Sequence, residues 1–152
     1  MTLLVVTILG PPVGQGRPRA VRVGPFVRVH SAPKSATWQA CAAETMATMW
    51  RAVHGADKAP HDGSVRVTID AVGARPKSAP KKRPGRQWRT TKPDADNVAK
   101  AVCDALVKAG VLRDDTLVGE LVVRSLVAST AEGPHVRVVV DGLDPLTDTK
   151  GA

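Results

Sequence analysis

A chain of 152 residues, 43% hydrophobic, suffices for one domain with a real core and no disulfide staples. Aromatic residues make up only 3%, so Val, Leu and Ala must build that core; Cys41 and Cys103 read as separate buried thiols, and no CxxC or Cys/His cluster points to zinc. Lys and Arg total 22 against 14 acids, a formal charge of +8 that favours a polyanionic partner, and no apolar run approaches membrane-spanning length.

The charge is segregated along the chain. No acid precedes Glu44, while Arg17, Arg19, Arg22, Arg28 and Lys34 all do. Eight basic residues and no acid lie between Arg75 and Lys92. Six of the 14 acids then fall between Asp94 and Glu120.

The opening residues 2–9 are β-rich and are stopped by Gly10-Pro-Pro. They lack the basic flank of a signal peptide and read as a first strand of an intracellular protein. Residues 13–34 form a Gly/Pro/Arg segment with a short strand at 26–29. A helix follows from Ser35, capped by Ser35 or Thr37 and ended by Gly55, with Trp38, Ala42, Met46, Met49 and Val53 as its core stripe.

Residues 64–71 alternate as a half-buried strand, with Val65, Val67 and Ile69 on one face and Arg66, Thr68 and Asp70 on the other. The basic segment 73–92 carries Pro76, Pro80 and Pro84 and is expected to be a loop without regular elements, mobile when nothing is bound. A second helix is expected over 96–109, with Val98, Val102, Ala105, Leu106 and Ala109 inward and Gly110 as its stop. Residues 117–127 and 136–140 read as a β-hairpin, before a frayed tail over 144–152. The fold class is therefore α+β, a single domain over 1–143 in the order β-α-β-α-β-β, with a mixed sheet and two main helices.

The chemistry concentrates in residues 92–115. Pro93 keeps the approach extended, so Asp94 and Asp96, two apart, face one site, and Asp96 or Asn97 can cap the helix. Lys100 lies one turn on, opposite the Val98/Val102 core face. Asp114 and Asp115 stand at the mouth of the next strand, where alternation lets one of the two join the first pair. Hard oxygen donors without His or Cys suit Mg²⁺, or Mn²⁺ as a substitute. Each piece also has a plain structural use. Asp-x-Asp serves as a cap, Asp-Asp as a turn, and Lys100 with Asp104 as a helix surface pair worth about 0.3 kcal/mol.

The run from Lys92 to Asp115, with Asp-Ala-Asp-Asn-Val-Ala-Lys, Asp-Ala-Leu, Ala-Gly and Asp-Asp, resembles the signature of the RusA family of Holliday junction resolvases. Gly10-Pro-Pro-Val-Gly-Gln-Gly-Arg-Pro-Arg19 is similar to that family's opening segment, although Val29-His30 stands where a Tyr is frequent. The resemblance implies a RusA-like fold. It also implies a Mg²⁺-dependent homodimeric endonuclease, cytoplasmic and bacterial or phage-encoded, that cuts four-way DNA junctions by paired symmetric nicks. It maps metal-binding aspartates onto Asp94, Asp96 and Asp115 and the essential lysine onto Lys100. Asp114 and Glu120 become supporting acids.

The expected phosphate contacts are Arg17, Arg19, Lys81, Lys82, Arg83, Arg86, Arg89 and Lys92. Trp88 among them either stacks on an unpaired base or closes the edge of the core. Other branched or flapped DNA, RNA, and a non-catalytic junction-binding role are the competing readings.

Overall fold

The computed structural model describes residues 1–16, 19–30 and 33–147. Seven strands and two long helices follow one another: β1 (Thr2–Leu9), β2 (Arg19–Val23), β3 (Phe26–His30), α1 (Pro33–His54), β4 (Val65–Gly73), β5 (Gln87–Trp88), α2 (Ala95–Lys108), β6 (Val118–Val127) and β7 (His135–Gly142). A 3₁₀ turn, Asp115–Leu117, precedes β6. The main sheet has the order β1-β7-β4-β6-β5, while β2 and β3 form a separate hairpin. This is the expected α+β domain with a mixed sheet and two helices.

β4 sits at the centre and is the most completely buried strand. Val65, Val67, Ile69 and Ala71 are fully buried on the face that packs under the helices. It runs antiparallel to β7 and parallel to β6. β6 and β7 are therefore no hairpin, contrary to the sequence expectation. The connection after Val127 crosses the end of β4, and the Ala128 amide donates to the Gly73 carbonyl at 2.9 Å. Residues 129–134 match turn chemistry, but turn chemistry does not say which strands the turn joins.

α1 buries Trp38, Ala42, Met46 and Trp50, whereas Met49 and Val53 are exposed. The stripe follows a spacing of four throughout and does not drift to 49 and 53. Gly55 ends the helix with φ +97°, as expected. Ser35 lies inside the helix, where its Oγ accepts from the Gly16 amide at 3.1 Å, tying the N-terminal segment to α1. Cys103 is buried but Cys41 is exposed, so the two thiols are not equivalent.

The sheet's other face is polar in its first half. Arg66 pairs with Glu120 at 2.7 Å and Arg124 with the nearly buried Asp70 at 2.6 Å, each across the parallel β4/β6 ladder. Beyond Asp70, a small second core of Val72, Leu126 and Ala128 closes at the β4/β6 end that the basic segment meets. Residues 148–152 of the expected tail lie outside the described residues; Leu146, before them, is fully exposed. Among the described residues no helix is long and apolar enough to cross a membrane.

Candidate active site

α2 and the turn after it position every member of the acidic constellation. The helix cap is Asp94, extended at φ −65° and ψ 146°, one residue past a cis Lys92–Pro93 bond. The cap is neither Asp96 nor Asn97. Its side chain makes no capping hydrogen bond, and the Asp94 carbonyl alone accepts from the Val98 amide. The Asp94 carboxylate is thus exposed and uncommitted, and so is that of Asp96 in the first turn.

Burial of Val98, Ala99, Ala101, Val102, Cys103, Ala105 and Leu106 fixes the roll of α2 about its axis. Asp96, Lys100 and Asp104 consequently share the outward stripe. Lys100 Nζ lies 4.0 Å from Asp104, a loose pair that leaves the ammonium largely in solvent.

Gly110, at φ +75°, ends the helix, and the Val111 amide returns to the Leu106 carbonyl at 3.0 Å. Val111 and Leu112 plug into the core, and the loop at His61 clasps them from outside. This folds the chain back so that Asp114 and Asp115 come alongside α2. The pair precedes the strand instead of opening it, so strand alternation does not separate their roles. The cap does. Asp114 Oδ1 accepts from the Thr116 amide at 2.8 Å, and that bond holds its carboxyl below the usual carboxylate range. Asp115 begins the 3₁₀ turn with its carboxylate exposed.

Cys103 senses the neighbourhood. Burial pushes its thiol up to about 11, the charges of Asp104 and Asp115 push the same way, and Lys100 opposes them. Asp104 and Asp115 line one flank of α2, and Lys100 reaches toward Asp104 there. An open pocket of about 430 Å³ lies there, lined by Gln39, Asp104, Val107, Lys108, Asp114 and Asp115.

Asp94 and Asp96 stand nearer the helix start. Among the described residues no three His, Cys, Asp or Glu side chains are close enough together to hold a metal ion. The donor type nevertheless fits a hard cation, because Asp94, Asp96 and Asp115 are exposed carboxylates, none of them in a salt bridge. Glu120 is placed elsewhere, paired with Arg66 at the rim of a second groove of about 860 Å³.

The basic segment is more ordered than its prolines suggest. Arg75 spans it, donating to the carbonyls of Pro80 and Arg83 at 2.8 Å, Ala128 at 3.3 Å and Gly85 at 3.4 Å. β5 then pairs with the end of β6, a regular element inside the expected loop. The result is a stapled turn that presents Lys81, Lys82 and Arg83 to solvent.

Two of the predicted phosphate contacts have partners within the protein. Arg86 clamps Glu132 at 2.6 Å and approaches Asp70 at 3.9 Å. Arg89 lies flat over Gly73, with its Nε 3.3 Å from the Ser125 hydroxyl, and burial lowers its pKa. Lys92 is exposed, and Trp88 is 72% exposed, so Trp88 does not close the core. The Arg19 backbone opens β2, and Arg17 lies outside the described residues.

One contact escaped sequence reasoning. The Gln15 amide donates to the Asn97 carbonyl at 3.0 Å, and a Cβ on Gly14 would meet the Cβ atoms of Pro93 and Asn97 at 3.0 and 3.1 Å. The glycine-rich opening therefore lies directly on the start of α2. Its signal was the Gly14-Gln-Gly spacing, which reports a close approach without naming the surface approached.

The family model of endodeoxyribonuclease RusA matches residues 10–141, from this glycine-rich opening to the end of β7. The chain belongs to the RusA family. RusA enzymes are endodeoxyribonucleases that resolve Holliday junctions, act on branched DNA and are in general metal-dependent. Among curated proteins none matches the chain significantly. The matched span takes in the acidic constellation, the basic turn and the β2–β3 hairpin alike.

Proposed function

We propose that this RusA-family chain is a Mg²⁺-dependent endonuclease that, as a cytoplasmic homodimer, resolves four-way DNA junctions by paired symmetric nicks. The observation that carries the residue assignment is the division of labour at the carboxylates. Asp114 is spent on the 3₁₀ cap, while Asp115, Asp94 and Asp96 are exposed and outside any salt bridge. These three would hold the ion, which would supply Lewis-acid polarisation of the scissile phosphate.

The chain's own groups account for the rest. Lys100, one turn from Asp96 and only loosely held by Asp104, extends its ammonium to a phosphate oxygen and offsets charge gathered in the transition state. Lys81, Lys82, Arg83 and Lys92 contact flanking phosphates and fix the register of the strand. Trp88, exposed beside them, is available to stack on an unpaired base. Arg86 and Arg89 brace the turn and contribute less to phosphate binding, because their guanidinium groups already face Glu132 and Ser125. A four-way junction has approximate two-fold symmetry, so a two-fold dimer presents one such site to each of two opposed strands.

The test is an end-labelled mobile junction incubated with and without Mg²⁺. Paired, symmetry-related nicks only with the ion are expected. Asp96→Asn is expected to keep junction binding and lose cleavage by at least about a hundredfold, the scale of removing one transition-state contact. Wild-type cutting by that variant refutes the assignment. Preferential cutting of flapped DNA or RNA assigns a different substrate to the same residues.

A further inference from the structure

The β2–β3 hairpin has no evident structural purpose in the domain. Its strands pair only with each other, and among the described residues it makes no extensive contact with any other element. Five residues per strand give it a reach of about 17 Å. Gly24, at φ +59°, and Pro25 make a two-residue turn, with glycine first as a type II′ turn prefers, so the tip is tight.

The tip is apolar where a solvent-facing turn is ordinarily polar. Val23 pairs with Phe26 and Arg22 with Val27, and Val23, Phe26 and Val27 are 50%, 70% and 66% exposed. Phe26 is the chain's single phenylalanine. Of the four aromatic residues, Trp38 and Trp50 are in the core and Phe26 and Trp88 are in solvent.

Three observations say what this tip meets. The segment leading into the hairpin is fastened to the start of α2, where Gln15 bonds to Asn97, the neighbour of Asp96. The hairpin therefore springs from the edge of the proposed cutting site. Its sequence carries Arg19, Arg22 and Arg28, and no acid occurs in the first 43 residues. A polyanion such as DNA attracts such an arm.

We infer that the hairpin is a wedge, and that Phe26 at its tip inserts at the branch point of the DNA and unstacks the bases there. Apolar side chains that enter a base step do so in this way, and the cost is least where stacking is already interrupted. Arg22, exposed on the shank, holds a flanking phosphate while Phe26 parts the bases. The inference rests on the branched-DNA reading and deepens it, because it explains selection of a branch over a plain duplex.

The experiment uses the full chain, wild type, Phe26→Ala and Phe26→Leu, on two junctions labelled with 2-aminopurine at the branch. One is fully paired and the other carries unpaired bases at the branch point. Wild type should raise 2-aminopurine fluorescence on the paired junction, and Phe26→Ala should abolish most of that rise. Cleavage by Phe26→Ala should fall at least tenfold on the paired junction, stay within twofold on the opened one, and recover in part with Phe26→Leu. Equal cleavage by Phe26→Ala and wild type on the paired junction overturns the wedge. So does an equal loss on both junctions, or a changed sedimentation coefficient, which would make the hairpin a subunit contact. If wild type raises the fluorescence but cuts neither junction, the wedge stands and the nuclease reading falls; no rise with wild type removes the wedge whatever the cleavage.

Discussion

Arg75 is the residue whose loss should most cleanly separate order from charge in the basic turn. Its guanidinium reaches four carbonyls, two of them at 2.8 Å and two at 3.3 to 3.4 Å. Charge-assisted bonds of the shorter kind contribute about 1.5 to 3 kcal/mol each when dry. Here the site is partly solvated, so about 1 kcal/mol for each short bond, and little for the long ones, gives roughly 2 kcal/mol. Arg75→Ala should therefore raise the open population of the turn about 30-fold. Trypsin cutting after Lys81 and Lys82 should accelerate by that factor, since cleavage of a rapidly reclosing segment follows its open population. The thermal midpoint should barely move, because the main core does not include the turn. Junction affinity should weaken by a similar factor, as binding must then order the turn itself. Arg75→Lys keeps the charge but cannot span four acceptors, and should resemble the alanine variant. If Arg75→Lys resists trypsin and binds DNA as wild type does, the charge alone matters and the stapling argument is wrong.

The Arg86–Glu132 clamp gives the same turn an acid-sensitive edge. Arg86 holds the Glu132 carboxyl down at about 2, below its usual 4.5, so the clamp's contribution is complete above pH 4.5 and is lost as pH falls toward 2. The protection factor of the Thr130 amide, which donates to Pro84, should fall as pH drops across that window, and Glu132→Gln should abolish the step; an unchanged profile in that variant refutes the clamp. Gly14→Ala places a methyl within 3.0 to 3.1 Å of Pro93 and Asn97 and should displace the start of α2. Junction cleavage should drop at least fivefold with binding nearly unchanged, and wild-type cleavage would show that the opening segment yields instead.

What the sequence made legible was local. The roll of α2, its Gly110 stop and the outward stripe of Asp96 and Lys100 follow from periodicity, and the structure places them accordingly. The alternation of β4 was equally plain as far as Ile69, beyond which Asp70 and Val72 on the other face are buried too. What escaped was pairing at a distance. Ser129 to Pro134 carries turn residues, yet β4 inserts between β6 and β7, where its Asp70 meets Arg124 and its Arg66 meets Glu120. Ser35 was expected to cap α1 and instead receives the Gly16 amide, since the chain returns there from outside the helix. Asp114 and Asp115 were separable by resemblance alone, and the cap onto Thr116 supplies the physical distinction.

The segregation of charge acquires a reason from this architecture. A run of eight basic residues would repel itself into an extended tether if left alone. Arg75 turns inward to neutral carbonyls, Arg86 meets Glu132 and Asp70, and Arg89 lies down over Gly73. Three cations of the run thus fold the turn, and Lys77, Lys81, Lys82, Arg83 and Lys92 are left to face outward. The acids on α2 and the 3₁₀ turn show the same economy, with Asp114 consumed locally and Asp94, Asp96 and Asp115 left exposed. Exposed cations and exposed carboxylates, with neither set consumed by the other, leave both sets open to a ligand. A phosphodiester with its cation satisfies both, and a protein partner of either sign would satisfy one and repel the other.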